Sequence, residues 1–88
     1  MTLFLWEAQN IEHISRHDVD PFEAEEAVVD PGRVNFDAHG NGKRGVIGRT
    51  EDGRFLVVIL TKRKKRFYVI TARDATDNEK KIYRRRQK

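Results

Sequence analysis

The apolar positions of this chain change period near its middle. Leu3-Phe4-Leu5-Trp6 predicts a short strand. Over residues 7–17, Ala8, Ile11 and Ile14 recur at helical spacing, with Ser15 beside them. Arg16 and His17 fall in the last turn of that helix, where cations suit the negative end of the dipole. Asp18 then stands where a left-handed cap residue is wanted, a conformation Asp tolerates better than most residues. Asp20-Pro21-Phe22-Glu23 opens a second helix. Asp20 caps it, Pro21 fits the first helical position, and Glu23 reaches back three residues. Phe22, Ala24, Ala27 and Val28 supply its apolar surface, and it ends before Asp30-Pro31-Gly32.

From residue 33 onward the period is two. Arg33-Val34-Asn35-Phe36-Asp37 alternates as a strand does, and His39-Gly40-Asn41-Gly42 reads as a loop. Residues 44–50 predict a strand, and Asp52-Gly53 a two-residue hairpin turn. Residues 55–61 are almost continuously apolar, as a central strand would be. Lys62-Arg63-Lys64-Lys65 makes the next turn, and residues 66–71 another strand. Thr76-Asp77-Asn78-Glu79 is a capping box opening a last helix, anchored by Ile82 and Tyr83 and fraying into Arg84-Arg85-Arg86-Gln87-Lys88. The order predicts an α+β fold: a short N-terminal strand and two helices, an antiparallel meander of three to four strands, and a C-terminal helix. The helices are expected on one side of the sheet. Residues 1–88 read as one domain without repeats or an interdomain linker.

Composition adds two constraints. Charged residues make up 36% of the chain and apolar residues 38%, so the core is thin and self-association or a bound partner is expected to help hold it. Cysteine is absent, which excludes disulfides and thiolate metal sites. The N-terminus has neither a basic leader nor a long apolar run, so the expectation is a soluble, cytoplasmic protein without a membrane segment.

Charge changes the picture more. Residues 1–42 carry two cations and nine anions, a balance of −7. Residues 43–88 carry sixteen cations and five anions, a balance of +11. A basic half on so small a protein points to a polyanion, most directly nucleic acid. The run Lys62-Arg63-Lys64-Lys65-Arg66 puts five cations at a hairpin tip, which either stays solvated or meets phosphates. Phe67 and Tyr68 face opposite ways on a strand, so one packs in the core while the other is available to stack on a base. Arg73, at a strand end, either holds a phosphate bidentately or pairs with Asp74, Asp77 or Glu79. The topology of adjacent antiparallel strands is expected to bring Arg44, Arg66 and Arg73 onto one face of the sheet. Tyr83 falls four residues after Glu79 on one helical face. His13 and His17 are also four apart, but the segment lacks the Glu of the H-E-x-x-H zinc pattern, and no metal site is expected. Phosphate-loop, G-x-G-x-x-G and serine-elbow motifs are absent.

Taken together, Phe4-x-Trp6-Glu7 with Asn10, Arg16-His17-Asp18-Val19, Phe22-Glu23-Ala24, Val28-x-Asp30-Pro31, Arg44, Gly48 and Ile70-Thr71-Ala72-Arg73-x-Ala75-x-x-x-Glu79-x-x-x-Tyr83 resemble the BrnT toxin family over nearly the whole chain. Trp6-Glu7 replaces the family's Trp-Asp, Asp18 replaces a turn glycine, and Gly42-Lys43 replaces an acidic pair ahead of Arg44. The resemblance implies a RelE-like fold and a ribonuclease toxin of a type II toxin–antitoxin pair. It implies as partners an RNA substrate and a cognate antitoxin, BrnA-like with a ribbon-helix-helix fold, through which alone the toxin reaches operator DNA. A homodimer or a heterotetramer is the expected assembly.

A metal-independent endoribonuclease with no cofactor must activate a 2′-hydroxyl, stabilise a pentavalent phosphate and protonate the leaving oxygen. Arg44, Lys62, Arg66 and Arg73 are the candidates for the phosphate, and Tyr83 or His39 for proton transfer. Lys62, Arg63, Lys64, Lys65 and Tyr68 are the candidate RNA contacts. Two further classes stay open at this point: a nucleic-acid-binding module without catalysis, and an interaction module whose basic face docks an acidic protein.

Overall fold

The computed structural model describes residues 3–38, 40 and 42–87. Helices α1 (Ala8–Ser15) and α2 (Pro21–Val29) precede strands β1 (Val34–Asp37), β2 (Arg44–Arg49), β3 (Phe55–Arg63) and β4 (Arg66–Asp74), and α3 (Asp77–Arg85) follows. The four strands form one antiparallel sheet in chain order, the meander of the expected α+β fold. The expected N-terminal strand shrinks to a single parallel bridge between Phe4 and Phe67. It stops there because the indole of Trp6 donates to the Glu25 carboxylate at 2.7 Å, and Glu7 N–H donates to Asn10 Oδ1 at 2.7 Å, which starts α1.

The helix ends follow local chemistry. Asp18 has φ +57°, the left-handed cap anticipated from its position. Val19 N–H donates to the Ile14 carbonyl and Asp18 N–H to that of Ser15, and buried Val19 follows as the apolar residue of that cap. Capping boxes open α2 at Asp20/Glu23 and α3 at Thr76/Glu79.

Strand β3 is apolar on both sides, and each side needs its own cover. Leu56, Val58 and Leu60 join Val46, Val69 and Ala72 beneath Ile14, Val19, Ala24, Ala27 and Val28 of the α1–α2 region. Val57 joins Val34 and Ile47 beneath Ala75 and Tyr83 on the other face. The helices are therefore not gathered on one side: α3 packs opposite α1 and α2. Tyr83 is the buried residue of α3, while Ile82, the other expected anchor, is exposed.

Two turns differ from expectation. The β2–β3 loop has three residues, Glu51, Asp52 and Gly53, because Thr50 and Arg54 still pair through Thr50 N–H at 2.8 Å and Gly53 takes the left-handed position. At the β3–β4 turn, Lys64 and Lys65 both have positive φ (+52° and +64°), a geometry normally given to Asn-Gly. A register shift in β4 matters more. Ile59 opposes Thr71 and Leu60 opposes Val69, so Ile70 is an extra residue. This bulge brings Arg66 and Arg73, of opposite sequence parity, to the same face. Arg44 opposes Leu60 and lies on the α1–α2 face, so the expectation that all three share a face fails for Arg44.

Helix α2 approaches β2 so closely that a Cβ at Gly48 would collide with the Ala27 backbone carbonyl. Backbone cannot swing aside as a side chain does. Gly48→Ala is expected to cost about 1–3 kcal/mol of stability in denaturant titrations. An unchanged midpoint would show that α2 does not dock on β2 at this distance.

Candidate functional site

The charge split of the sequence becomes a split between the two sheet faces. Glu12, Glu23, Glu25 and Glu26 lie on α1 and α2, which cover one face. The opposite face has α3 at one end and cations across the rest: Arg49 on β2, Arg63 on β3, Arg66 and Arg73 on β4, Lys80 and Arg84 on α3.

The β3–β4 turn gathers several of the expected residues. Arg63 opposes Arg66, and the Arg63 guanidinium lies 3.9 Å from the Tyr68 ring centroid. Tyr68 is 5% exposed, so its ring packs in the sheet and the guanidinium covers it. Lys64 and Lys65 are exposed at the tip. Lys62 points to the opposite face, its ammonium 5.8 Å from the Phe67 ring, which itself packs on Phe4. Lys62 and Arg44 line a cleft of about 410 Å³ there with Leu60 and Phe67. The structure thus joins Arg63, Arg66 and Arg73 on one face and separates Arg44 and Lys62 from them.

Arg73 is built into the β4–α3 junction. Its two terminal nitrogens donate to Glu79 Oε1 and Oε2 at 2.8 and 2.9 Å, and one also donates to the Asp74 carbonyl at 3.1 Å. These bonds use three of the five guanidinium N–H groups, and the side chain is 43% exposed. The hydrogen bonds from Arg73 hold the Glu79 carboxyl down at about 2, and the same bonds raise Arg73 above its ordinary range.

Tyr83 is 7% exposed, and its hydroxyl donates to Asp30 Oδ2 at 2.6 Å. Burial, then this bond, pushes the phenol up to about 12. Asp30 also accepts from the backbone N–H groups of Gly32 and Arg49 at 3.0 and 2.9 Å. Burial works to raise the Asp30 pKa, but these hydrogen bonds outweigh it and hold the carboxyl below its usual range. His39, the other expected proton-transfer group, lies outside the described residues.

A cationic group was missed in the sequence. Arg49, Lys80 and Arg84 lie 5.5, 6.0 and 5.5 Å from the half-buried Phe55 ring, and Tyr83 meets that ring edge-on at 5.1 Å. None of the three cations is in an ion pair among the described residues. The signal was the i,i+4 spacing of Lys80 and Arg84. The basic run after Tyr83 instead reads as a frayed tail, yet α3 is helical to Arg85 and Gln87 Nε2 donates to the Gly32 carbonyl at 2.7 Å. Arg54 was missed as well. It donates to Asp74, Glu23 and the Asp18 and His17 carbonyls, which ties the ends of α1 and α2 to β3 and β4. Among the described residues no group of three or more His, Asp or Glu side chains could hold a metal ion, and no helix is long and apolar enough to cross a membrane.

Residues 6–79 match the model of a family described as ribonuclease toxin, BrnT, of type II toxin-antitoxin system. The match takes in Arg44, residues 62–66, Tyr68 and Arg73, while Tyr83 and Arg84 lie beyond it. No curated protein matches the chain.

Glu79 drops from 4.5 to about 2 on folding, so its pair with Arg73 stabilises the fold above pH 4.5 and loses that effect as pH falls through about 2. Asp30 and Asp74 shift in the same direction. Urea titrations are expected to show stability falling across that window, and Arg73→Gln to flatten part of the fall. An unaltered pH profile in the variant would mean the pair does not hold α3.

Proposed function

The chain belongs to the BrnT family of ribonuclease toxins of type II toxin–antitoxin systems, and on that premise we propose that it cleaves RNA on the sheet face that carries α3, without a metal ion. The observation that carries this reading is the separation of charge: acidic helices cover one face, and Arg49, Arg63, Arg66, Arg73, Lys80 and Arg84 lie on the other. A polyanion is repelled by the first and attracted by the second.

In this reading the 2′-oxygen attacks the adjacent phosphorus and the bond to the 5′-oxygen breaks. The 2′-hydroxyl gives up its proton and the leaving oxygen takes one up. The added charge sits on the phosphate oxygens, where guanidinium groups stabilise it most. Arg73 takes that role, and Arg66, at the other end of β4, meets a phosphate further along the strand. Glu79 positions Arg73, whose two remaining N–H groups serve the phosphate. Arg63, Lys64 and Lys65 hold the neighbouring phosphates on one side, and the cations around Phe55 hold those on the other. Tyr68 supports Arg63 from beneath. Tyr83 keeps its proton at neutral pH, so it cannot serve as the base, and that proton is already given to Asp30. We assign it to holding α3 in place. Arg44 and Lys62, across the sheet, serve a different contact. The metal-free mechanism draws support from cations standing where a metal site would need converging carboxylates.

Membership of a type II system implies a cognate antitoxin. A ribbon-helix-helix protein with an acidic segment over the α3 face would neutralise the toxin by occupying the substrate's electrostatic site, and would itself carry the operator contacts.

The test is RNA cleavage by two double variants of matched folding. Arg66→Ala with Arg73→Ala is expected to lower kcat/KM about 100-fold or more, and Arg44→Ala with Lys62→Ala to leave it within about tenfold. Excess EDTA is expected to leave the parent rate unchanged. Greater loss in the second variant would move the site to the other face, and abolition by EDTA would refute the metal-free mechanism.

A further inference from the structure

Strand β1 is an outer strand of the sheet. β2 pairs with one side, and among the described residues nothing pairs with the other. The far edge is partly closed, because Leu5 N–H donates to Phe67 and Phe67 N–H to Leu3 beside β4. Outer strands are usually protected by proline, a bulge or an inward charge. β1 has an unbroken register and no proline.

With Arg33, which immediately precedes it, the strand's side chains are self-complementary. Arg33-Val34-Asn35-Phe36-Asp37 runs cation, apolar, amide, apolar, anion. Asn35 opposes Val46 and so belongs to the α1–α2 face, as do Arg33 and Asp37 by parity. Val34 opposes Ile47 and belongs with Phe36 to the α3 face. Phe36 lays its ring over Gly45, yet is 37% exposed. Asp37 is exposed and is in no ion pair among the described residues. Arg33 spends one N–H on the Asp30 carbonyl and is otherwise exposed.

We propose that β1 pairs antiparallel with β1 of a second copy about a two-fold axis through Asn35, fusing two sheets into one. Antiparallel pairing about such an axis keeps each face on its own side, so a residue must oppose one of equal parity. Centred on Asn35, Arg33 opposes Asp37 of the second copy, twice by symmetry, and Val34 opposes Phe36, also twice. Centring on Val34 or Phe36 loses both charge pairs. Arg44, opposite Asp37 on β2, adds a cation to each junction. The result is a dimer with both α3 faces on one side and all four acidic helices on the other. This proposal rests on the charge pattern of β1 and stands whether or not the α3 face binds RNA.

Sedimentation equilibrium of the purified full-length chain over a wide concentration range tests it. The parent is expected to be a monomer–dimer equilibrium. Arg33→Asp, or Asp37→Arg, sets like charges opposite each other at two places and is expected to weaken the dimer about tenfold or more. The double variant Arg33→Asp, Asp37→Arg restores both pairs in reverse and is expected to recover it to within about threefold. A parent that stays monomeric at every concentration overturns the proposal. So does a single reversal that leaves the dimer intact, or a double reversal that fails to restore it while its circular dichroism matches the parent.

Discussion

Asp30 is the carboxylate on which the arrangement of this small fold depends. It stands at the end of α2 and accepts from Gly32 in the turn towards β1, from Arg49 at the end of β2 and from Tyr83 on α3. Three stretches of chain distant in sequence, the turn at Asp30 and Gly32, Arg49 and Tyr83, meet at two oxygen atoms. A chain with so thin a core cannot spread this task over a large apolar interface. Hydrogen bonds to a partly buried carboxylate are worth more than those to exposed ones, and leaving that group without its partners carries a penalty of its own. Where Asp30 holds Tyr83, α3 covers Val34, Ile47 and Val57. Where α3 stops, the basic face begins.

The rest of the functional surface follows from β3. Because it is apolar on both sides, helices must lie on both faces, and the acidic pair α1 and α2 takes one. The remaining face keeps the cations of β2, β3, β4 and α3. The same residues that divide the charge also order it. Glu79 fixes Arg73 from α3, and Arg63 lies over the Tyr68 ring, so neither guanidinium must be immobilised from a free state when it meets an anion. Two lysines held in the left-handed conformation at the β3–β4 turn carry strain of about 1 kcal/mol or more each, a cost set against the tight tip that presents them.

Features encoded within one turn of chain were legible in the sequence. Asp20 with Glu23, Thr76 with Glu79 and the left-handed Asp18 are such cases, since each interaction closes within a few residues. The meander was legible from its period of two. Three things were not. The shared face of Arg66 and Arg73 depends on the Ile70 bulge, which alternation read from sequence does not foresee, and the face of Arg44 on the register of β2 against β3. The side taken by α3 depends on Tyr83 meeting Asp30, 53 residues away. Arg54 and the cations around Phe55 act through contacts between elements, and an isolated arginine in a basic half carries no mark to distinguish it.

The central claim is that RNA meets the face bearing α3. Methyl-resolved NMR during titration with a cleavage-resistant RNA tests it most directly, because isoleucine, leucine and valine methyl groups report from both faces of β2 and β3. The account predicts that Ile47, Val57 and Ile59 shift together while Val46, Val58 and Leu60 stay in place. Shifts confined to Val46 and Leu60, beside Arg44 and Lys62, would contradict it.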